Sequence, residues 1–473
     1  MRTLIALSIV LAYVIFTVAI LRAHRRKAAA SASALASAST ATAASASTSD
    51  VQHRACAGAT PSSARAPWLV AFASQTGYAE QLALQTAKSL EAANIPMRVR
   101  SLEKLSMDEI SRAERALFIV STYGEGDPPD AGLAFVSTVM SRTPPLAQLG
   151  YGVLALGDRT YRNFCGFGRT LDAWLRQQSA TPFFDLIEMD NADENALRHW
   201  QHQVGTLTGR DDLPEWQAPR DERWQIAQRR LLNPGSAGLP CYHIELVPLE
   251  GALPDWQAGD IAVLTPPGGG PREYSIASTP KDGALHILVR QSRRADGTPG
   301  VASSWLTQGA APGSEVPLRI RVNSNFRSPP DSRPLILIGN GTGIAGLRSH
   351  LKVRESQARE RNGATRNWLL FGERNARSDS FYAQDIERWK SSGLLSRVDL
   401  AFSRDQHERV YVQHLIPPAA NMLREWVTQG AAIYVCGSAE GMASAVDEAL
   451  AAVLSRDTLD QLMAERRYRR DVY

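Results

Sequence analysis

Arg272, Tyr274 and Ser275 stand in the run Pro271-Arg272-Glu273-Tyr274-Ser275-Ile276-Ala277-Ser278. Alternate residues of an extended segment share a side, so the Arg272 guanidinium can pair with a pyrophosphate while the Tyr274 phenol lies against a flat ring. Ser275 faces the other way, toward the ring edge where a hydride would arrive. This combination reads as a seat for FAD. Farther along, Ser403, Arg404 and Arg409 put a hydroxyl and two guanidinium groups just past an apolar run. Fixed charge-assisted bonds of that kind suit the extra phosphate that separates NADPH from NADH.

These residues need strand ends and helix starts to hold them. Trp68 to Ala73 is an apolar run that empties into Ser74-Gln75-Thr76-Gly77-Tyr78-Ala79, followed by apolar residues at helical spacing. A strand, a hydroxyl-and-glycine turn and a helix N-terminus together form a phosphate site. Ala116–Val120 runs likewise into Thr122-Tyr123-Gly124, and Val153–Leu156 into Gly157-Asp158 with Tyr161 and Phe164 beyond. Three such loops at the carboxyl edge of a parallel sheet place Tyr123 and Tyr161 where they can sandwich a flat ring. His286–Gln291 reads as a barrel strand, and Gly300-Val301-Ala302-Ser303 opens a small-residue helix suited to a dinucleotide pyrophosphate. Pro334–Ile338 leads into a glycine loop with Gly341, Thr342 and Gly343, whose glycines permit close approach of a second pyrophosphate.

SQTGYAE, STYGEGDPPD and LGDRTYRNF resemble the three FMN loops of the diflavin reductases, the family of NADPH-haemoprotein reductase and the sulfite reductase flavoprotein subunit. The resemblance spans about Trp68 to Tyr473. It implies FMN contacts at Ser74, Gln75, Thr76, Gly77, Ala79, Thr122, Tyr123, Gly124, Gly157, Asp158, Tyr161, Phe164 and Asp190. It makes Gly300 to Ser303 the second FAD segment and adds Tyr411 and Gln413 to the NADPH contacts. It places Cys436 beside the nicotinamide, cooperating with Ser275 and Asp471, and lays the terminal Tyr473 over the FAD ring. The family has proline where Asn340 and Gly346 stand, and its larger members carry a helical connecting insert where this chain has only a short loop between Asp260 and Arg272.

The implied fold class is multidomain α/β: a flavodoxin-like doubly wound parallel sheet, an antiparallel FAD-binding β-barrel and a Rossmann-like NADP-binding domain. At 473 residues the chain has room for about three ordinary domains. The expected divisions are a transmembrane anchor with a basic flank (1–27), an Ala/Ser-rich linker (28–66), the FMN domain (67–207), a linker (208–232), the FAD barrel (233–330) and the NADPH domain (331–473). The anchor rests on the apolar run Thr3–Leu21, followed by Arg22, Arg25, Arg26 and Lys27 against Arg2 alone before it. That asymmetry keeps the catalytic domains cytoplasmic behind a single pass. The tether is too poor in large apolar residues to fold.

With basic and acidic residues interspersed at a net charge of +4, nucleic acid is not an expected partner. Cys56, Cys165, Cys241 and Cys436 lie far apart, and His199 and His202 share a helix face without a third ligand, so no metal is expected. The expected activity carries electrons from NADPH through FAD and FMN to a membrane-associated, haem-containing acceptor. The alternatives are the flavoprotein component of an NADPH sulfite reductase, a reductase for a membrane ferric-iron partner, and an anchored scaffold that keeps the flavin folds without turnover.

Overall fold

In the computed structural model the description covers residues 66–473, apart from 160, 211–215, 217–219, 295 and 362–365. The expected anchor and nearly all of the Ala/Ser-rich linker lie outside the described residues. Among the described residues no helix is long and apolar enough to cross a membrane.

The first sheet holds β1 (Trp68–Ala73), β2 (Met97–Ser101), β3 (Arg115–Ser121), β4 (Gly150–Gly157), β5 (Thr181–Pro182) and β6 (Ile187–Asp190). Its order is β2-β1-β3-β4-β5, with β6 also on β4, and every pairing is parallel. The central strands read as unbroken apolar runs because helices cover both faces. Leu69, Ala71, Phe118 and Val120 enter one core, whereas Val70, Leu117, Ile119 and Leu154 enter the other. The helices Tyr78–Ala92 and Glu194–Thr208 close the second face through Leu82, Leu90, Trp200 and Val204.

The second sheet is antiparallel: β7 (Glu222–Leu231), β8 (Cys241–Pro248), β9 (Ile261–Leu264), β10 (Arg272–Ser275), β11 (Leu285–Arg290) and β12 (Glu315–Arg321), in the order β10-β9-β12-β7-β8-β11. Its edge strands meet where Ala277 N, just past β10, donates to His286 O at 2.8 Å. The stretch expected to be a linker, 208–232, therefore contains β7. Trp224 and Ile226, two apart and fully buried, are its inward face; the charged residues Glu222, Arg223, Arg229 and Arg230 on either side hide that alternation in the sequence. Only the short loop 265–271 joins β9 to β10.

The third sheet is parallel again: β13 (Leu335–Asn340), β14 (Asn367–Glu373), β15 (Leu395–Phe402), β16 (Ala432–Gly437) and β17 (Tyr468–Val472), in the order β15-β14-β13-β16-β17. The C-terminal tail is thus a paired strand. The three sheets pack in one compact unit.

Candidate functional site

Three cavities open along the carboxyl edges of the two parallel sheets and against the barrel. The first, of about 290 Å³, is lined by Ser74, Gln75, Thr76, Thr122, Tyr123, Gly124, Gly157, Asp158, Tyr161 and Phe164. Of the other residues proposed for FMN, Gly77 and Ala79 stand behind the turn. Gly77 sits at φ +87° with Val322 O where a Cβ would go, and Ala79 N donates to Ser74 Oγ at 3.2 Å. Asp190 does not line the cavity; it accepts from Arg159 N at 3.1 Å, and its neighbours Asn191 and Ala192 form the wall. The second and third loops are tied together by Asn163 Nδ2 donating to Glu125 O at 2.6 Å. Burial raises the Tyr123 phenol to about 12. Thr122 Oγ1 is buried with no hydrogen-bond partner among the described residues, as a group awaiting a polar ring would be.

The sequence had no signal for the far wall of this cavity. Val263, Pro271, Glu273, Arg319 and Arg321 of the barrel and Ala439, Val472 and Tyr473 of the third sheet complete it. The loops of the first sheet therefore face the rest of the molecule. Gln75 shares in that contact, because its side-chain amide donates to Arg470 O at 3.1 Å and its Oε1 accepts from Asp130 N at 2.9 Å. Arg470 forms an ion pair with Asp130, with Nε 3.0 and 3.1 Å from the two carboxylate oxygens. Its guanidinium also lies 5.4 Å from the Tyr123 ring centre.

The second cavity, of about 350 Å³, gathers every residue proposed for FAD: Arg272, Tyr274, Ser275, Gly300, Val301, Ala302, Ser303 and Tyr473. Gly300 has ordinary φ; its lack of a side chain matters because a Cβ would collide with Ser292 Oγ. Glu273, Arg290 and Ser292 join this wall without having been expected. An arginine closing the apolar strand Leu285–Arg290 was the available signal for one of them.

The third cavity, of about 400 Å³, is lined by Gly341, Ser403, Arg404, Tyr411 and Gln413 from the proposed NADPH set, with Arg290, Glu373 and Arg374 added. Arg409 is exposed and outside the lining, and Thr342 lines the second cavity instead. Arg290 Nε and Arg374 Nη1 are buried donors without partners among the described residues, which suits a polyanionic ligand. The glycine loop has two jobs. Gly341, at φ +57°, borders the cavity, whereas Gly339, Gly343 and Gly346 let the loop lie against Cys436, whose carbonyl or sulfur a Cβ at each would crowd. Asn340 ties the loop to the end of β16 by accepting from Ser438 N at 3.0 Å.

Behind the wall of the second cavity, which Ser275 lines, β10, β16 and β17 bring Ser275, Cys436 and Asp471 together. The parallel register sets Cys436 opposite Asp471. Ser275 Oγ donates to Asp471 Oδ2 at 2.6 Å, and Cys436 Sγ lies 3.6 Å from the same oxygen. Burial pushes both the Asp471 carboxyl and the Cys436 thiol above their ordinary ranges; the Ser275 hydroxyl opposes the carboxyl's shift. Tyr473 follows at once, its hydroxyl donating to Thr342 Oγ1 at 3.2 Å.

His199 and His202 are exposed on their helix. The fold does cluster His243, Glu245 and His286 within 4.8 Å. That cluster is occupied by protein contacts: Tyr382 OH is 2.7 Å from His243 Nδ1, and the Arg348 guanidinium is 3.5 Å from His286 Nδ1. A fixed cation beside the imidazole opposes a metal ion there.

Comparison with known proteins agrees with this layout. The flavodoxin family model matches residues 70–200, and the oxidoreductase NAD-binding domain model matches residues 337–448. The chain is 27% identical to the sulfite reductase [NADPH] flavoprotein alpha-component of Vibrio cholerae, covering 88% of this chain and 89% of that one. It is 28% identical to the protein of the same description from Vibrio parahaemolyticus (89% and 90%) and 26% identical to that from Bacillus subtilis (85% and 89%). The first of these alignments runs over 552 positions, more than the length of this chain, so the relative carries inserted residues that this chain lacks. With a flavodoxin-like sheet, an FAD-binding antiparallel sheet and an NADP-binding sheet converging on adjoining cavities, the chain has the layout of the diflavin reductases, is similar over most of its length to sulfite reductase flavoprotein alpha-components, and carries binding domains for FMN, FAD and NADPH.

Proposed function

We propose that this chain oxidises NADPH and passes the electrons through FAD and FMN, one at a time, to a separate haem-bearing protein, with a sulfite-reducing haemoprotein as the first candidate. The observation that carries the relay is the sharing of walls: Arg290 borders both the NADPH and FAD cavities, and Tyr473 borders both the FAD and FMN cavities. When bound, FAD accepts a hydride from the nicotinamide and FMN releases single electrons, so the difficult redox chemistry belongs to the cofactors. Ser403, Arg404, Tyr411 and Gln413 hold the adenosine phosphate end of NADPH, while Gly341 admits its pyrophosphate. Arg272 and the Gly300 to Ser303 turn hold FAD. Tyr473, which borders the FAD and FMN cavities, would lie against a flavin bound there. Asp471, held by Ser275 and Cys436, fixes charge and a proton beside the reacting ring.

The acceptor follows from the relatives' description as one component of an NADPH sulfite reductase, which implies a second component. A second reading, a haem acceptor at a membrane, is favoured by the apolar run Thr3–Leu21 and its basic flank, with the catalytic part on the cytoplasmic side where NADPH is. In either case the FMN face, turned inward here, has to swing out to reach its partner. Expression in a strain lacking the sulfite reductase flavoprotein separates the two readings. Restored growth on sulfite supports the first; no restoration, with a membrane haem protein crosslinked to the chain instead, supports the second and overturns the first.

A further inference from the structure

The turn Ser74 to Gly77 is gripped from outside its own sheet. Arg321 Nε donates to Thr76 O at 3.0 Å. Asn325 Nδ2 donates to Gln75 O at 3.3 Å and also to Ser74 O. Three successive carbonyls of the proposed phosphate turn thus accept hydrogen bonds from the reductase half. Val322 O fills the space beside Gly77, and Ser324 Oγ donates to Glu80 Oε2, at 2.7 Å, on the first turn of the following helix. The Arg321 guanidinium is itself fixed by Glu273, with Nη1 2.7 Å from Oε1, and Arg319 by Asp221, so the grip adds little net charge. What it adds is shape. A trans peptide turns its N–H away from its carbonyl, so anchoring the carbonyls of Gln75 and Thr76 aims the N–H groups of Thr76 and Gly77 to the opposite side. A donor on the carbonyl also polarises that same peptide unit.

Resting on the assignment of FMN to this cavity, we propose that FMN retention and docking of the flavodoxin-like half are a single linked equilibrium, with Arg321 and Asn325 as positioning residues for the phosphate turn across the boundary. Linkage is reciprocal: if the docked half holds FMN more tightly, bound FMN favours docking by the same factor. Swinging outward to an acceptor then loosens the hold on FMN, and FMN loss leaves the molecule more open.

The test uses the full chain, stripped of FMN with FAD retained, and titrated with FMN by flavin fluorescence. Arg321→Gln and Asn325→Ala should each weaken FMN binding about tenfold, within the usual range of coupling between sites, with FAD content unchanged. Small-angle scattering should give a larger radius of gyration for the FMN-stripped chain than for the reloaded one. Unchanged FMN affinity in both variants, or identical scattering with and without FMN, overturns the linkage. A wild-type chain that holds FAD but takes up no FMN at all overturns the underlying cofactor assignment instead.

Discussion

Replacing Arg470 by alanine removes one half of the ion pair that joins β17 to the flavodoxin-like half. The Arg470 and Asp130 side chains are 11% and 17% exposed, so the pair is nearly dry. Removing one partner of such a pair costs about 3–5 kcal/mol, because a carboxylate is left desolvated. Here the molecule has an escape, since undocking returns Asp130 to water. The penalty should therefore fall on the docking equilibrium before it falls on folding. Taking the lower figure, about 3 kcal/mol, the docking equilibrium constant falls by roughly 150-fold. Stopped-flow mixing with NADPH should show FAD reduction persisting, because Asp471 faces the opposite side of the strand, while reduction of FMN slows strongly. Scattering should report expansion. Asp130→Ala should act in the same direction, and the double variant should be no worse than the single ones, since the two residues act as one contact. Normal FMN reduction and an unchanged radius of gyration in Arg470→Ala would show that this ion pair does not hold the two halves together.

Other outcomes follow from the same geometry. Asp471→Asn should slow hydride transfer on the order of a hundredfold while retaining FAD, measured under single turnover. Because burial raises the Asp471 carboxyl above its ordinary range, the wild-type rate should titrate at a higher pH than an exposed aspartate, and the variant should lose that inflection. Arg404→Ala should raise KM for NADPH by about 10- to 100-fold and leave the value for NADH nearly unchanged, eroding coenzyme preference. Burial lowers His243 to about 4 and both His286 and His350 to about 3. Each is neutral in the folded chain and takes up a proton near 6.5 when unfolded, so the unfolded state binds more protons between these values. Stability should therefore be intact above pH 6.5 and fall progressively toward pH 3–4, by several kcal/mol, in denaturant titrations; His286→Gln should flatten part of that slope.

How far the fold could be read depended on burial. β1, β3, β4, β13 and β16 are covered on both faces, so each is an unbroken apolar run ending in a loop that stands out. β7 escaped because only Trp224 and Ile226 mark its inward side while arginine and glutamine crowd the rest. β17 ends the chain in Tyr468-Arg469-Arg470-Asp471-Val472, whose charges look like a fraying tail until Arg470 finds Asp130 and Asp471 finds Ser275. Local motifs pointed to the near walls of all three cavities, because each wall is built from short contiguous runs at or beside a strand end. The far walls were illegible. Nothing in the segments around Arg319 or Arg321 announces which cavity they border, since that depends on how two sheets meet. The glycine loop after β13 illustrates a related limit: spacing identifies the glycines, but only packing against Cys436 reveals that Gly339, Gly343 and Gly346 serve strand contact.

The proposed relay uses two flavins within one polypeptide. Its most direct test is to denature purified full-length protein, separate the released flavins and count them against chain concentration. One FMN and one FAD per chain are expected at full occupancy, with FMN reduction by NADPH abolished when FAD is removed. A protein that releases only one kind of flavin after reconstitution with both, or whose FMN is reduced by NADPH without FAD, would contradict it.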